Sequence, residues 1–166
     1  MAFSVRSFFR YARELMSTSA TRFSAPRQLS HQEICFVTIL VPSWHEAISF
    51  FQHKLSFELV HDSVDANGKR WVLMKPNHGI GTCLRLVEAE SEGEIDRLGS
   101  QAAQRVAFFL RTRNCEHDFR IMVGRGITFS EQPRTEVYGR VAVFVDVCGN
   151  RWDLLELWDQ KLKSFP

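Results

Sequence analysis

The chain reads KRWVLMKPNHGIGTCLRL from Lys69 to Leu86 and GRVAVFVDVCGNRWDLLE from Gly139 to Glu156. In each stretch, two apolar runs of strand length flank a loop that contains glycine. The two stretches lie 70 residues apart, and KLSFEL from Lys54 to Leu59 lies 70 residues before GRGITF from Gly124 to Phe129. A duplicated unit of about 50 residues leaves one hydrophobic face uncovered, so its two copies must pair to bury that face. We therefore expect the functional site between the two halves.

The first copy follows the order strand, helix and three strands, or βαβββ. Pro42 ends the first apolar run, and Ser43 suits the N-cap of a helix. Asp65–Gly68 (DANG) is a hairpin signal between two later strands. The predicted strands are Ile34–Val41, Phe57–His61, Arg70–Met74 and Thr82–Val87. The predicted helix between the first two strands carries an apolar face of Ala47, Ile48, Phe50, Phe51 and Leu55.

The second copy repeats that order after an acidic, polar linker over residues 88–103, which we expect to be exposed and to contain one helical turn. Its predicted helix runs from about Asn114 to Val123 and ends at the glycines that follow. Pro133–Tyr138 is either an exposed loop or part of a ligand-binding rim. The predicted strands are Arg105–Leu110, Ile127–Phe129, Gly139–Val145 and Arg151–Trp158. The chain is thus predicted to be α+β, with tandem modules over residues 34–88 and 104–158 inside one domain over residues 31–166.

The composition is that of a globular protein, with 45% hydrophobic and 24% charged residues in a chain of 166. No window reaches the roughly 18 consecutive apolar residues of a membrane-spanning helix, so no transmembrane segment is predicted. The folded part has no basic stripe, which makes a poor electrostatic footprint for nucleic acid. We therefore expect no nucleic-acid partner.

Residues 1–30 are basic and rich in serine, with five arginines against Glu14 alone. Six residues of this segment can form one apolar helical face, as in a mitochondrial transit peptide. They are Phe3, Phe8, Phe9, Ala12, Leu15 and Met16. The alternatives are a mobile extension, a helix that docks on the domain or on a second subunit, or a translation start at Met16.

The four cysteines are widely spaced and form no CxxC pair, which argues against a zinc ribbon or a disulfide framework. Cys35 and Cys83 lie in apolar strand runs, where free thiols usually pack as small core residues. We therefore expect a reducing compartment. The expected location is the cytoplasm, or the mitochondrion if residues 1–30 are a transit peptide.

EQPRTEVYGRVAVFVDVCGNRWDLLEL, from Glu131 to Leu157, resembles the second module of the vicinal oxygen chelate superfamily. That superfamily includes glyoxalase I, extradiol dioxygenases, and bleomycin and fosfomycin resistance proteins. VPSWHEAISFFQHKLSFEL, from Val41 to Leu59, is similar to the family's strand, helix and "FY…LGF" pattern, with Phe51 where Tyr is usual and Ser56 where Gly is usual. The resemblance covers about residues 34–158. It implies two βαβββ modules that curve into a cup around a small-molecule ligand, commonly within a homodimer.

Metalloenzymes of that superfamily take one metal ligand, typically His or Glu, from the first and last strands of each module. The resemblance puts these positions at Phe36, Cys83, Val106 and Asp153, of which only Asp153 is a convincing oxygen ligand. A slip of one residue brings no histidine there, and a catalytic divalent metal usually needs about three protein donors. We therefore predict no metal and no other cofactor. The alternative is a rearranged divalent-metal site.

Alternation along the strands assigns side chains to the cup, if Asp153 faces it. Arg151 then shares its face, whereas Trp152 and Leu154 pack outward against helices. The same rule places Leu155 and eight other residues toward the cavity. The eight are Phe36, Thr38, Leu40, Cys83, Arg85, Val106, Phe108 and Leu110. Asp153 is the expected partner of a buried Arg85 or Arg151, either in a structural ion pair or beside an arginine that binds a carboxylate.

Two functions are consistent with this pattern. The first is a metal-independent module that sequesters or senses a small aromatic or amphiphilic molecule in a dimeric cup. Its predicted ligand contacts are Phe36, Thr38, Trp71, Cys83, Arg85, Phe108 and Arg151, although Trp71 could instead pack in the core. The second is an enzyme, either a diverged lyase or isomerase or a metal-dependent relative of the dioxygenases, in which Asp153 is the catalytic general base.

Overall fold

The duplication predicted from the sequence forms two four-stranded sheets in the computed structural model of the chain, which describes residues 32–77, 82–103 and 105–158. The strands are β1 (Phe36–Val41), β2 (Phe57–Val64), β3 (Arg70–Pro76), β4 (Cys83–Glu88), β5 (Val106–Arg111), β6 (Phe129–Glu136), β7 (Gly139–Val145) and β8 (Arg151–Leu157). The first sheet has the order β1-β4-β3-β2 and the second β5-β8-β7-β6. In each sheet the first strand pairs in parallel with the last, and the other pairs are antiparallel. The predicted tandem βαβββ fold of class α+β is therefore confirmed.

Each module places one helix between its first two strands. In the first module α1 (Trp44–Ser49) continues into a π-helical turn, Phe50–Lys54. The N-cap position is Ser43, but the carboxylate of Glu88 binds the first helical N–H, that of Trp44, at 3.0 Å. In the second module the side chain of Asn114 caps its helix by accepting from the N–H of His117 at 3.0 Å.

The linker contains the predicted helical turn, α2 (Glu92–Ile95), and the helix of the second module is α3 (Cys115–Gly124). Ser91 and Glu94 form a capping box at the start of α2. Further along the linker, the side chain of Gln101 accepts from the N–H of Leu40 and donates to the carbonyl of Thr38. The linker thus satisfies backbone groups on the free edge of β1.

The two modules share one hydrophobic core. The Phe51 ring of the first module lies 6.1 Å from the Trp152 ring of the second, and the Phe57 ring lies 6.5 Å from it. Trp152 and Leu154 are both buried in this core, as alternation predicted. We call the opposite side of each sheet its outer face. The described chain leaves large apolar side chains exposed there, with Phe36 49% and Phe109 66% exposed.

Two features of the second sheet differ from the sequence prediction. β6 does not end at Phe129 but extends to Glu136, through a segment predicted to be a loop. β6 is an edge strand, and the register shift between Glu131 and Arg134 accommodates Pro133, which has no N–H to donate. In β5 the register shifts between Val106 and Phe108. Such a bulge reverses the sides assigned by simple alternation.

No disulfide joins any two of the four cysteines, all of which lie in the described ranges, and Cys35, expected to pack in the core, is instead exposed. Burial raises the pKa of Cys115 to about 11 and also raises the pKa of Cys148, so both thiols are protonated and unreactive at neutral pH. None of the helices in the described ranges is long and apolar enough to cross a membrane. All described helices and strands lie in the compact unit that begins at Ile34, and the extension predicted over residues 1–30 lies outside the described residues.

Candidate functional site

Apart from Phe108 and Leu110, the residues that the sequence singled out fall into two groups, one on the outer face of each sheet. Phe36 pairs with Cys83 and Thr38 with Arg85 across β1 and β4, on the side opposite the core residues Ile39 and Val41. Arg151 and Asp153 lie on the second sheet, on either side of the buried Trp152. Within the described chain, no hydrogen bond, ion pair or ring contact joins these two groups.

On the first sheet, Arg85 stacks on Trp71. The guanidinium carbon lies 4.0 Å from the ring centroid, well within the range of a cation–π interaction. The Nε atom of Arg85 is buried, and no hydrogen-bond partner for it is found in the described residues. A buried donor without a partner is costly, so the hydrogen bonding of the Arg85 guanidinium is left incomplete within the described chain.

Trp71 is therefore a surface platform rather than a core residue. Its side chain is half-buried, and it alternates with Val72, which is fully buried in the core. A similar pair lies on the helix side of the sheet, where the guanidinium carbon of Arg70 is 5.2 Å from the centroid of the Trp44 ring. There the guanidinium also forms an ion pair with Asp62, whose Oδ2 lies 2.7 Å from Nη2. Arg85 has no such carboxylate among the described residues.

On the second sheet, Asp153 is half-buried, and its side chain makes no hydrogen bond or ion pair with any described residue. Burial raises the pKa of its carboxyl group, partly opposed by the positive charges of Arg134 and Arg151. The expected pair between Asp153 and Arg151 does not form. Arg151 Nη2 instead donates to Glu131 Oε1 at 3.0 Å, and its buried Nε has no partner in the described residues.

Glu131 and Arg134 belong to this group, and the sequence analysis missed both. Arg134 forms ion pairs with Glu131 and with Glu136, so β6 brings alternating charges beside Asp153. One signal could have found them. A strand that starts at Gly139, right after the two-residue turn Val137–Tyr138, needs an antiparallel partner before that turn.

Phe108 does not lie with Asp153. Its ring stacks on Trp152 with the centroids 4.4 Å apart, and it packs against the core, as does Leu110. The shift in β5 accounts for this, because it places Phe109 rather than Phe108 beside Asp153. Val106 pairs with Arg151, so it keeps the side that alternation assigned to it.

The four positions at which the superfamily carries metal ligands do not offer a donor set for a divalent cation. Phe36 and Val106 have no donor atom in their side chains, and the Cys83 thiol and the Asp153 carboxylate lie on different sheets. Within the described ranges, no three His, Cys, Asp or Glu side chains are grouped so that they could hold a metal ion. The residues present therefore do not fit the superfamily's usual metal centre.

Known proteins of this fold resemble the chain over nearly all of its described part. Residues 33–154 match the family model described as the Glyoxalase/Bleomycin resistance protein/Dioxygenase superfamily. An uncharacterized protein of Shewanella frigidimarina (strain NCIMB 400) is 40% identical over 131 residues, which cover 78% of this chain and 97% of that protein. The resemblance noted in the sequence is thus confirmed.

Solved structures agree. A member of the superfamily from Sphaerobacter thermophilus DSM 20745 is 26% identical with a TM-score of 0.62, covering 77% of this chain and 99% of that one. TnmS3, an antibiotic binding protein from Streptomyces sp. CB03234, has a TM-score of 0.64 at 23% identity, covering 79% of this chain and 100% of that one. The chain therefore belongs to the glyoxalase, bleomycin resistance protein and dioxygenase superfamily.

Proposed function

We propose that this protein binds a small organic anion with a planar apolar part, without a metal ion. The observation that carries the proposal is the stack of Arg85 on Trp71, with the buried Nε of Arg85 left without a partner in the described chain. The indole offers a flat apolar surface, and the guanidinium offers a planar, bidentate site for a carboxylate. TnmS3, which shares the fold, is described as an antibiotic binding protein, which is consistent with such a role.

We further propose that a second copy of the chain completes the binding cup. The two groups of site residues lie on outer faces of different sheets, and each face exposes an aromatic ring, Phe36 or Phe109. A two-fold dimer would bring the Trp71 face of one copy against the Asp153 face of the other, twice over. The exposed rings would then be covered by the partner and the ligand.

The absence of a metal from this proposed function rests on the donor set. Phe36 and Val106 supply no ligand atom at two of the four family positions. Charge for the anion would come instead from Arg85 and Arg151, both of which keep a donor without a partner in the described residues. A guanidinium can hold a carboxylate by two parallel hydrogen bonds without any cation.

The test compares naphthalene-2-carboxylate with its uncharged amide, 2-naphthamide, by isothermal titration calorimetry. The carboxylate should bind more tightly, and Arg85→Gln should weaken it by about tenfold, as expected for loss of one charge-assisted interaction. Arg70→Gln is the matched control, because Arg70 also stacks on a tryptophan but lies on the helix side. Equal loss in both variants, or no preference for the carboxylate, would contradict the proposal.

A second candidate is an enzyme in which Asp153 is a general base. The observation in its favour is a half-buried carboxylate with a raised pKa and no ion pair in the described chain. A diverged lyase or isomerase, or a dioxygenase relative, would also need a metal site that differs from the family positions. Elemental analysis of the untagged protein, with thermal shifts for added nickel, zinc, manganese and iron, distinguishes this enzyme from the metal-free binding protein. Near-stoichiometric metal with a raised Tm favours the enzyme.

We infer that the protein works in a reducing compartment, since no disulfide joins its four cysteines in the described chain. The cytoplasm is the simplest such location, with the mitochondrial matrix as the alternative if residues 1–30 are a transit peptide. The N-terminal sequence of the mature protein from its native source tests this. A start at Met1 or Ala2 argues against a cleaved transit peptide.

A further inference from the structure

A cavity distinct from the cup residues lies between the two modules, with its apolar lining on the core side of the sheets. It has a volume of about 320 Å³, within the range of small-molecule pockets. Five apolar residues from both modules form its floor: Leu55, Phe57, Leu110, Met122 and Leu154. We call it the junction pocket. Three of its floor residues, Phe57, Met122 and Leu154, are at most 5% exposed, so the floor is built into the core.

The rim of the junction pocket is cationic. Lys54, Arg111 and Arg125 line it, against the single carboxylate of Asp118, which already accepts a hydrogen bond from the Thr112 hydroxyl. The side chain of Arg111 makes no hydrogen bond or ion pair with any described residue. A pocket with an apolar floor and surplus positive charge at its mouth suits a ligand with an apolar body and an anionic head.

Arg125 is held in place at this rim from the other module. Its Nη1 donates to the carbonyl of Lys54 at 3.1 Å and to the hydroxyl of Ser56 at 2.6 Å. Its other guanidinium nitrogens make no hydrogen bond with any described residue. The arginine is therefore positioned by one nitrogen while donors remain for a bound anion.

Ser56 is a second feature of this rim, because it combines a left-handed backbone with a contact to Arg125. Its φ is +58°, in the left-handed region where glycine is the unstrained choice. A serine there retains a strained backbone but supplies the hydroxyl that contacts Arg125. Strained residues of this kind concentrate at functional sites.

We propose that the junction pocket binds an amphiphilic organic anion of the medium-chain carboxylate class, with the carboxylate at Arg111 and Arg125 and the chain on the apolar floor. This site is separate from the proposed cup and goes beyond the proposed function. The apolar floor of this site lies on the side of the sheets that carries Leu154, whereas the cup residue Asp153 lies on the other side; Arg111, the exposed last residue of β5, lies at the mouth.

The test is calorimetric titration of the full chain with decanoate, and with decyltrimethylammonium as a probe of the same chain length and opposite charge. We expect one saturable decanoate site per chain and no saturable site for the cation. Arg111→Gln should weaken decanoate binding by about tenfold, since it removes a charged donor without disturbing a hydrogen bond in the described structure. Arg113→Gln is the matched control, as another exposed arginine, two residues further along the chain, that does not line the pocket.

Three results would overturn the proposal. They are the absence of saturable decanoate binding, equal binding of the cationic probe, and equal weakening by Arg111→Gln and Arg113→Gln. Arg85→Gln separates this site from the cup. If Arg85→Gln abolishes decanoate binding while Arg111→Gln does not, decanoate binds in the cup, and the junction-pocket proposal is wrong while the cup proposal stands.

Discussion

The indole Nε1 of Trp152 donates a hydrogen bond to Oδ2 of Asp146 at 2.8 Å, and both residues are buried. The same carboxylate accepts from the backbone N–H of Cys148 at 2.8 Å and from that of Asn150 at 2.9 Å. One side chain thus holds the turn between β7 and β8 and the ring that anchors β8 in the core. Because Arg151 and Asp153 flank Trp152, this anchor also determines which face those two residues present.

Asp146→Ala should lower the free energy of unfolding by about 3 kcal/mol, because it leaves several buried donors without an acceptor. Asp65→Ala is the control. Asp65 binds the N–H groups of Asn67 and Lys69, two and four residues on, as Asp146 does in its own hairpin, but it is exposed. Water can replace it there, so we expect a much smaller loss than for Asp146→Ala. Urea unfolding of both variants measures the difference, and similar losses would contradict a buried anchor.

The fold could be predicted from sequence because its signals are local and occur twice. Each copy contains apolar runs of strand length, glycine-containing turns and one amphipathic helix. Together these features predict the element order βαβββ. The side assignment of Trp152 was also predicted correctly, because β8 is regular through its length. In β5 the same rule assigned Phe108 to the wrong face of the sheet. A single register shift reverses the faces of the residues after it and leaves no sign in the local hydrophobic pattern.

The site could be predicted only in part, because partners come from strands that the sequence did not indicate. Arg151 and Asp153 share a strand, so their pairing was the natural expectation. Glu131 instead reaches Arg151 from β6, a strand that contains proline and many charges and therefore lacks the usual apolar alternation. The stack of Arg85 on Trp71 depends on packing across β3 and β4, which no sequence pattern specifies.

Asp153→Asn should change stability in a pH-dependent way. The pKa of Asp153 is raised by burial, so the folded protein binds its proton more tightly than the unfolded chain does. Its stabilising contribution is present below the unfolded-state pKa of about 3.8 and is lost as pH rises through the folded-state pKa. The variant should therefore be more stable than the parent at pH 7, by less than about 1 kcal/mol, with the gain vanishing in acid.

Asp62→Asn should change the stability at pH 7 in the opposite direction, and it serves as the control for the Asp153→Asn experiment. The hydrogen bonds from Arg70 lower the pKa of Asp62, so its contribution is present above the unfolded-state pKa and is lost as pH falls through the folded-state pKa. This variant should lose stability at pH 7 and match the parent in strong acid. Urea unfolding across the acidic range measures the stability of both variants relative to the parent. If both differences changed with pH in the same direction, the raised pKa of Asp153 or the lowered pKa of Asp62 would be wrong.

Ser56→Gly and Ser56→Ala should differ in stability although both remove the hydroxyl that binds Arg125. Glycine relieves the positive φ at this position, whereas alanine keeps it. We expect the glycine variant to be the more stable of the two by about 1 kcal/mol. Thermal unfolding compares them directly. An alanine variant as stable as the glycine variant would mean that the backbone relaxes at this position and that Ser56 is not strained.

Mixing two defective variants tests whether the cup is shared between copies. If the Trp71 face of one copy meets the Asp153 face of the other, a heterodimer of Arg85→Gln and Arg151→Gln contains one cup with both changes and one with neither. After unfolding and refolding together, random pairing makes about half of the dimers mixed, so about one quarter of all cups should regain parental affinity for naphthalene-2-carboxylate. The control refolds each variant alone, which restores none. If the cup lay within one chain, the mixture would bind no better than its parts, because every cup would still contain one of the two substitutions.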